Sequence, residues 1–303
     1  MHRILVIRGG AIGDFILTLP ALKLLRDGFP SAHIEILGYK HIVALAEISG
    51  YADATRSIEY SALSSFFSRE GELAPELMSY FGSFQQIISY LFDPDEIFAT
   101  NLARCGVRNL LTGSPKITGR EHAARQLARP LERLGLYLDV PVAIIQPNEW
   151  KSAAKMDGSF IAIHPGSGSE AKNWPLNNFL ELAEWLLAAK ENWKLLLIGG
   201  EADAGQMSSL ERVLPNDRIR IALNLPLPQL ATMLQHCQFY IGHDSGISHL
   251  AAAVGTPSLL LFGPTDPAIW APANPQVRIV RSENRTMRGL EVAPVREALC
   301  EAF

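Results

Sequence analysis

Short runs of apolar, often β-branched residues alternate along the whole chain with segments of helical periodicity. This alternation is typical of βαβ units, in which parallel strands are joined by helices that cover the sheet. In the first half of the chain the pattern predicts strands at Ile4–Arg8, His33–Leu37, Gln86–Leu91 and Val107–Leu111. In the second half it predicts strands at Phe160–His164, Lys194–Ile198, Arg218–Ala222, Phe239–Ile241, Ser258–Phe262 and Val277–Val280. The fold class is therefore α/β with parallel sheets.

The length of 303 residues is about twice that of a typical domain, which favours two domains with separate cores. Between the two series of strands lies a polar, poorly periodic segment, Gln146–Gly158, which is typical of a linker. We therefore predict a first domain of residues 1–152 and a second of residues 153–303. Within the second, the apolar spacing predicts a helix at Asn178–Lys190.

Composition excludes several classes of protein. Apolar residues make up 48% and charged residues 19% of the chain, the balance of a folded globular protein. The net charge of −4 argues against a dedicated nucleic-acid binder. Cys105, Cys237 and Cys300 lie far apart without metal-ligand spacing, which indicates a reducing compartment and ordinary packing. The amino-terminal residues do not resemble a signal peptide, and the longest apolar stretch, Leu250–Phe262, is too short to span a bilayer.

The first motif with chemical meaning is RGGAIGD, residues 8–14, which follows the first predicted strand and opens a helix. It resembles a dinucleotide fingerprint only in part, because Arg8 occupies the position of the first glycine and only Gly10 and Gly13 match. Asp14 is predicted in the first helical turn, at the sheet edge where open α/β folds bind ligands. It either meets a ligand there or complements the helix dipole.

The second motif is HPGSGSEAKNWP, residues 164–175, again at the end of a predicted strand. Its glycines and serines offer backbone N–H groups and hydroxyls for phosphate oxygens, and Lys172 adds a mobile cation. The spacing is not that of a Walker loop. The alternative is a structural turn before a helix.

The third motif is GHDSGISHLAAA, residues 242–253, after the strand Phe239–Ile241. Asp244 or Ser245 is predicted to cap the following helix and to leave its amino end open to an anion. The order of residues is not that of a nucleophile elbow. His243, Asp244 and His249 lack the spacing of a metal site, so phosphate is the favoured ligand.

In these three segments, taken in order as RGGAIGDFILTLPALKLLR, HPGSGSEAKNWP and GHDSGISHLAAAVGTPSLLLFGPTDP, the chain resembles glycosyltransferase family 9, the lipopolysaccharide heptosyltransferases. The resemblance covers nearly the whole chain. It implies a GT-B architecture of two facing Rossmann-like domains. It also implies an inverting transferase that moves a heptose from ADP-heptose to a lipopolysaccharide-core or related lipid-linked sugar, without a metal ion or other cofactor.

The resemblance also assigns roles to individual residues. Asp14 matches the proposed general base. The donor would be held by the second domain, through residues that match the family's donor-binding positions: Ser167, Gly168, Ser169, Lys172, Glu201, Leu225, Asp244, Ser245, Gly246 and His249. In these roles the loop residues Ser167, Gly168, Ser169 and Lys172 meet the diphosphate, Glu201 meets the ribose and Leu225 the adenine. The implied location is cytoplasmic, with peripheral contact at the inner membrane where a lipid-linked acceptor lies.

Charge is distributed unevenly in the first half of the chain. Residues 53–100 carry eight acidic and two basic side chains, whereas residues 101–135 carry seven basic and two acidic ones. The basic stretch either forms a solvated helical face or attracts an anionic acceptor, with Arg120 and Arg125 as candidate contacts. A second arginine-rich segment, Arg278–Arg296, is expected to pack partly back across the linker towards the first domain.

Two other functions remain open from the sequence. One is a different GT-B enzyme, a transferase or epimerase that uses another nucleotide sugar. The other is a non-catalytic protein that binds a nucleotide sugar, against which Asp14 and Lys172 argue.

Overall fold

The computed structural model describes residues 2–146 and 156–302. The chain divides into two compact units, Met1–Pro141 and Val142–Phe303. The segment before the gap belongs to the second unit, because the Ile145 N–H donates to the Ala253 carbonyl at 2.8 Å. The boundary predicted between residues 152 and 153, and most of the predicted linker, lie outside the described residues.

The first unit is a parallel sheet with helical connections. Its strands are β1 (Arg3–Arg8), β2 (His33–Gly38), β3 (Ala54–Ser57), β4 (Gln86–Ser89) and β5 (Leu110–Thr112). Its α-helices are α1 (Ile12–Ile16), α2 (Leu19–Gly28), α3 (Lys40–Ile48), α4 (Pro75–Gly82), α5 (Ile97–Arg104) and α6 (Ala123–Ala128), with 3₁₀ helices at Ser61–Phe67 and Arg129–Leu134. In the described residues the strand order is β3-β2-β1-β4-β5, and every pair is parallel.

The second unit repeats this plan. Its strands are β6 (Ser159–His164), β7 (Trp193–Gly199), β8 (Ile219–Leu223), β9 (Phe239–His243), β10 (Ser258–Phe262) and β11 (Val277–Arg281). Its α-helices are α7 (Leu176–Ala189), α8 (Ala204–Glu211), α9 (Leu227–Gln235), α10 (Gly246–Ala253), α11 (Pro267–Trp270) and α12 (Val292–Cys300). Short 3₁₀ helices lie at Glu170–Lys172, Glu201–Asp203, Asn216–Arg218 and Met287–Gly289. The described strands are all parallel in the order β11-β10-β9-β6-β7-β8.

Each sheet is covered on both faces, and this explains why its central strands are apolar throughout. Residues 4–7 of β1 and residues 259–262 of β10 are each at most 1% exposed. In both units the chain starts in the middle of the sheet, winds to one side and then returns to wind to the other. This is the doubly wound, Rossmann-like order, and it confirms the predicted pair of α/β domains with parallel sheets.

The predicted strands all occur, with ends shifted by a few residues at most. The sequence missed β3, whose four residues, ATRS, carry no apolar run because it is a half-buried edge strand. Helix α7 begins two residues before its predicted start, directly after Pro175.

The carboxyl-terminal helix α12 packs its apolar side into the core of the second unit, where Val292, Val295 and Leu299 are buried with residues of α7. The expectation that the Arg278–Arg296 segment reaches the first domain stays a prediction. Across the described ranges, no helix has the length and apolar character needed to cross a membrane.

Candidate functional site

The three sequence motifs lie at the points where the winding of the two sheets reverses. In the first unit β1 and β4 are neighbours at this point, and the loop after β1 carries Asp14. In the second unit β6 and β9 are neighbours, and the loops after them carry Lys172 and Asp244. Open α/β sheets bind ligands at the carboxyl ends of strands at such switch points. The topology therefore places the candidate residues where a ligand is expected.

Asp14 lies in the first turn of α1, as the sequence predicts. Its Oδ2 accepts a hydrogen bond from the Ala11 N–H at 3.1 Å, so one carboxylate oxygen helps to fix the start of the helix. The side chain is nevertheless 36% exposed. Asp14 thus has both a capping contact and solvent access.

Arg8 explains why this motif departs from the dinucleotide fingerprint. The side chain is only 2% exposed, and its Nε donates to the Thr18 hydroxyl at 3.0 Å. One terminal nitrogen donates to the Asp14 carbonyl at 3.2 Å and lies 4.0 Å from Asp14 Oδ1. Burial lowers the pKa of Arg8, and the Asp14 carboxylate opposes that shift. The sequence marked Arg8 only as a missing glycine, whereas it is a buried cation beside Asp14.

In the second unit the structure joins the second and third motifs directly. Lys172 Nζ lies 2.7 Å from Asp244 Oδ2. The Asp244 side chain is 7% exposed and the Lys172 side chain 31%, so the carboxylate is buried while the lysine stem reaches it from the surface. Two residues that the sequence placed separately at a donor site therefore form one contact.

The loop between β6 and α7 is held by its own side chains. Ser167 Oγ lies 2.8 Å from the Ser169 carbonyl and 2.6 Å from Asn173 Oδ1. The hydroxyl has a single proton, which it can donate to either acceptor. Gly168 has open space where a side chain would stand. Ser169 directly precedes the 3₁₀ helix that carries Lys172. The loop is thus shaped before any ligand meets it.

Helix α10 starts at this same edge. Ser245 is its amino-terminal cap, with Oγ accepting from the Ser248 N–H, and Gly246 is the first helical residue, half-buried. Tyr240 hydroxyl lies 3.0 Å from Ser248 Oγ beneath the helix start. His249 is buried in the same helix at 5% exposure. The capping prediction is confirmed for Ser245, and Asp244 is instead the partner of Lys172.

His243 was considered from sequence only as a metal ligand, and the structure gives it a different role. Its side chain is fully buried, and its Nε2 accepts from the Trp174 N–H at 2.8 Å. Burial lowers the pKa of His243 to about 3, which keeps the imidazole neutral near pH 7. The other ring nitrogen lies 3.4 Å from the Gly166 carbonyl. His243 therefore connects the end of β9 to both ends of the Lys172 loop.

His164 and Asp203 form a second connection that the sequence did not indicate. His164 Nε2 lies 3.6 Å from Asp203 Oδ2, and His164 Nδ1 lies 3.4 Å from Ser245 Oγ. The contact with His164 is the main reason why the pKa of Asp203 is lowered. A Cβ at Gly166 would lie 2.0 Å from the Asp203 carboxylate, so only glycine fits there. His164, at the end of β6, therefore contacts Asp203 just before α8 and Ser245 at the cap of α10.

The residues expected to meet ribose and adenine follow β7 and β8. Glu201 is exposed just after β7, and Leu225 is half-buried between β8 and α9. Since β7 and β8 are parallel neighbours, both residues follow the same edge of the sheet as Lys172. Their roles in binding stay predictions.

The two candidate acceptor arginines differ. Arg120 is exposed. Arg125 donates from its terminal nitrogens to the carbonyls of Leu138, at 2.9 Å, and Asp139, at 2.5 Å. Arg125 therefore holds the backbone at the end of the first unit, a structural role that the sequence did not indicate. Its part in acceptor binding stays a prediction.

Within residues 2–146 and 156–302, no three His, Cys, Asp or Glu side chains are grouped to hold a metal ion. Burial raises the pKa of Cys237 to about 12, so this thiol stays protonated and packs as an apolar group.

The structure defines an α/β protein of two parallel-sheet units, in which a Gly/Ser loop, Lys172 and the start of α10 lie together at the switch point of one sheet. Residues 120–295 match the family described as glycosyltransferase family 9 (heptosyltransferase). Because this match spans more than half of the chain, the chain belongs to glycosyltransferase family 9, and it is a glycosyltransferase.

Curated relatives and solved structures agree with the family. The chain is 23% identical to lipopolysaccharide heptosyltransferase 3 of Escherichia coli K12, over 86% of this chain and 82% of that protein. With lipooligosaccharide heptosyltransferase 2 of Haemophilus influenzae the match is 28% identical but spans only 44% of this chain and 39% of the relative.

The fold likeness extends over nearly the whole chain. A family 9 glycosyl transferase from Veillonella parvula has a TM-score of 0.79 at 22% identity, covering 99% of this chain and 96% of its own. An E. coli heptosyltransferase solved with ADP has a TM-score of 0.77 at 17% identity, covering 99% and 100%. These likenesses confirm the predicted GT-B fold class.

Proposed function

We propose that the protein is an inverting heptosyltransferase that transfers a heptose from ADP-heptose to a lipopolysaccharide-core or related lipid-linked sugar. The observation that carries this proposal is the contact of Lys172 with Asp244 at the switch point of the second sheet. It joins the flexible cation of the Gly/Ser loop to the cap region of α10, where a diphosphate would meet backbone N–H groups. The relatives named above and the neighbour solved with ADP support the choice of donor.

The chemistry follows from these groups. Attack on an anomeric carbon requires that the acceptor hydroxyl lose its proton as the new bond forms, and Asp14 is the proposed base. Arg8 lies 4.0 Å from its Oδ1, so a buried cation stands beside the proposed base. The departing ADP gains negative charge, which Lys172 and the α10 start would offset without a divalent ion. Glu201 and Leu225 would contact the ribose and adenine.

The direct test is a comparison of donors. Calorimetric titration of the full chain with ADP, UDP and GDP should give clear binding for ADP alone, and ADP-heptose with a lipopolysaccharide-core acceptor should give transfer. Preferential binding of UDP or GDP would show that the donor is a UDP-sugar or a GDP-sugar instead of ADP-heptose. Donor epimerisation without an acceptor would indicate an epimerase, and binding without any reaction would indicate a non-catalytic protein.

A further inference from the structure

The helical segment that carries Asp14 is interrupted within one turn of this residue. Two residues separate the end of α1 from the start of α2. In a continuous α-helix the Thr18 N–H would donate to the Asp14 carbonyl, four positions earlier. It donates instead to the Phe15 carbonyl at 2.9 Å. Pro20 has no N–H to offer the Ile16 carbonyl, which favours a break at this point. The Asp14 carbonyl therefore needs donors from outside the helix.

Two buried side chains supply those donors. Thr18 Oγ1 donates to the Asp14 carbonyl at 2.8 Å, and a terminal nitrogen of Arg8 donates to the same carbonyl at 3.2 Å. Arg8 Nε also donates to Thr18 Oγ1 at 3.0 Å, which closes a ring of three contacts. Thr18 is fully buried, and the Arg8 side chain is 2% exposed. The backbone of Asp14 is therefore held from inside the unit by two side chains that also contact each other.

Arg8 also lies beside the carboxylate of Asp14. The terminal nitrogen that reaches the Asp14 carbonyl is 4.0 Å from Oδ1, while Oδ2 accepts from the Ala11 N–H. A Cβ at Gly10 would lie 3.0 Å from Oδ2, so the loop packs closely against the carboxylate. The Asp14 side chain nevertheless keeps 36% of its surface exposed. Its carboxylate is thus supported on one side and open to solvent on the other.

Stability alone does not explain the position of Arg8. A buried charge gives up its hydration, and the contacts of a buried ion pair often fail to compensate for that loss. A side chain that is 2% exposed also has almost no surface with which to contact a substrate. Any effect of Arg8 on a reaction must therefore pass through the residues that it holds, Asp14 and Thr18.

We propose that Arg8 is a positioning residue: with Thr18, it holds Asp14 at the helix break so that the carboxylate faces the acceptor hydroxyl. The inference rests on the proposed function, because it takes Asp14 as the general base. Placement of a reacting group contributes strongly to rate, and a misplacement of about 1 Å can cost about 100-fold. Loss of the support should therefore lower kcat, whereas binding of ADP and of the acceptor should change little.

The test is steady-state transfer by Arg8→Gln and Arg8→Lys. We expect Arg8→Gln to lower kcat by about 10- to 100-fold and to leave the acceptor KM and the ADP Kd nearly unchanged. Arg8→Lys keeps the charge and a donor, so it should recover part of the lost kcat. The matched control is Arg26→Gln, because Arg26, at the other end of α2, also donates to a backbone carbonyl and pairs with an aspartate. This control should lower stability but not the kcat of the folded protein.

Thr18→Val provides a second route to the same contact, since it removes one donor to the Asp14 carbonyl and keeps the size of the side chain. The double variant Arg8→Gln/Thr18→Val should lower kcat by much less than the product of the two single effects, because both residues hold one group. Urea unfolding of each variant shows that folded protein is assayed. If Arg8→Gln does not fold, Thr18→Val is judged by the same criteria. Native kcat, or a loss of ADP affinity as large as the loss of kcat, overturns the inference.

Asp14→Asn separates this inference from the proposed function. If Asp14→Asn is inactive and Arg8→Gln retains native kcat, the inference alone is overturned. If Asp14→Asn is active, the proposed base is wrong, and the inference falls with it because Arg8 then has no catalytic group to position.

Discussion

Lys172 and Asp244 are 72 positions apart in the chain, and their side chains meet at 2.7 Å. The contact places the positive charge of an exposed loop against a carboxylate that is 7% exposed. Burial of a carboxylate without a partner is unfavourable, so the lysine compensates Asp244 as well as offering a cation to a ligand. The position of the Lys172 loop therefore depends on the buried carboxylate of Asp244, which lies just before α10.

Replacement of Lys172 by Ala should weaken ADP binding by about 10- to 100-fold, since a hydrogen bond to a charged group contributes about 1.5–3 kcal/mol. Adenosine, which has no phosphate, should bind almost as before. Calorimetry with both ligands measures the difference, and Lys194→Ala, a lysine within β7, is the matched control. Equal losses for ADP and adenosine would exclude a phosphate role.

Replacement of Asp14 by Asn should abolish transfer and leave ADP binding nearly intact. The Asn side-chain oxygen can still accept from the Ala11 N–H, so the start of α1 should be preserved. Asp27→Asn, at an exposed aspartate of α2 that pairs with Lys23, is the control for a surface charge change. Near-normal turnover of Asp14→Asn with an authentic acceptor would remove Asp14 from the role of base.

Transfer should continue in excess EDTA. The reason is that the leaving diphosphate would be offset by Lys172 and by backbone N–H groups, which need no divalent ion. Initial rates with EDTA and with added Mg²⁺ or Mn²⁺ measure this. Activity that disappears with EDTA and returns with one metal would contradict the mechanism.

Replacement of Arg120 by Gln should raise the KM for an anionic acceptor and leave the KM for the donor unchanged, because Arg120 is exposed in the basic stretch of the first unit. Added salt should have a similar effect, since attraction between exposed charges is screened over about 8–10 Å at physiological ionic strength.

The double variant Arg120→Gln/Arg125→Gln should show a larger effect on acceptor KM. It should also lose some stability, because Arg125 donates to two backbone carbonyls. Thermal unfolding of each single variant separates the two consequences, and Arg69→Gln serves as the control for an exposed arginine. An unchanged acceptor KM in the double variant would leave the stretch without a binding role.

Stability should fall as the pH is lowered from 7 to 5, in part because of His243. Its pKa of about 3 in the folded state lies below the ordinary value of 6.5, so the unfolded chain binds more protons in this range. The contribution is fully present above pH 6.5 and is lost as the pH falls towards 3. Between pH 7 and pH 5 it amounts to about 2 kcal/mol.

The measurement is urea unfolding of the native chain and of His243→Gln at pH 7 and pH 5. Glutamine can accept from the Trp174 N–H but does not titrate. The variant should therefore lose less stability between the two pH values, and His236→Gln, at an exposed histidine elsewhere in the unit, is the control. An equal loss in the native chain and in His243→Gln would show that the imidazole is not the titrating group.

The sequence alone predicted the elements that depend on local pattern. Buried central strands such as β1 and β10 carry continuous apolar runs because both of their faces are covered, and these runs identified them. It also placed Asp14 in the first helical turn and Ser245 at a helix cap, since such features depend only on neighbours along the chain. The edge strand β3, which lacks an apolar run, was missed for the same reason.

What only the tertiary structure decided was which distant residues meet and which charges are buried. The contact of Lys172 with Asp244 and the neutral state of His243 arise because β6 and β9 pair, a relationship that crosses more than 70 positions of the chain. Arg8 is a second example. The sequence shows only that it replaces a glycine of the motif, whereas the structure shows a buried cation beside Asp14. Local residue patterns cannot specify such pairings, because burial and charge compensation depend on how the strands are ordered in the sheet.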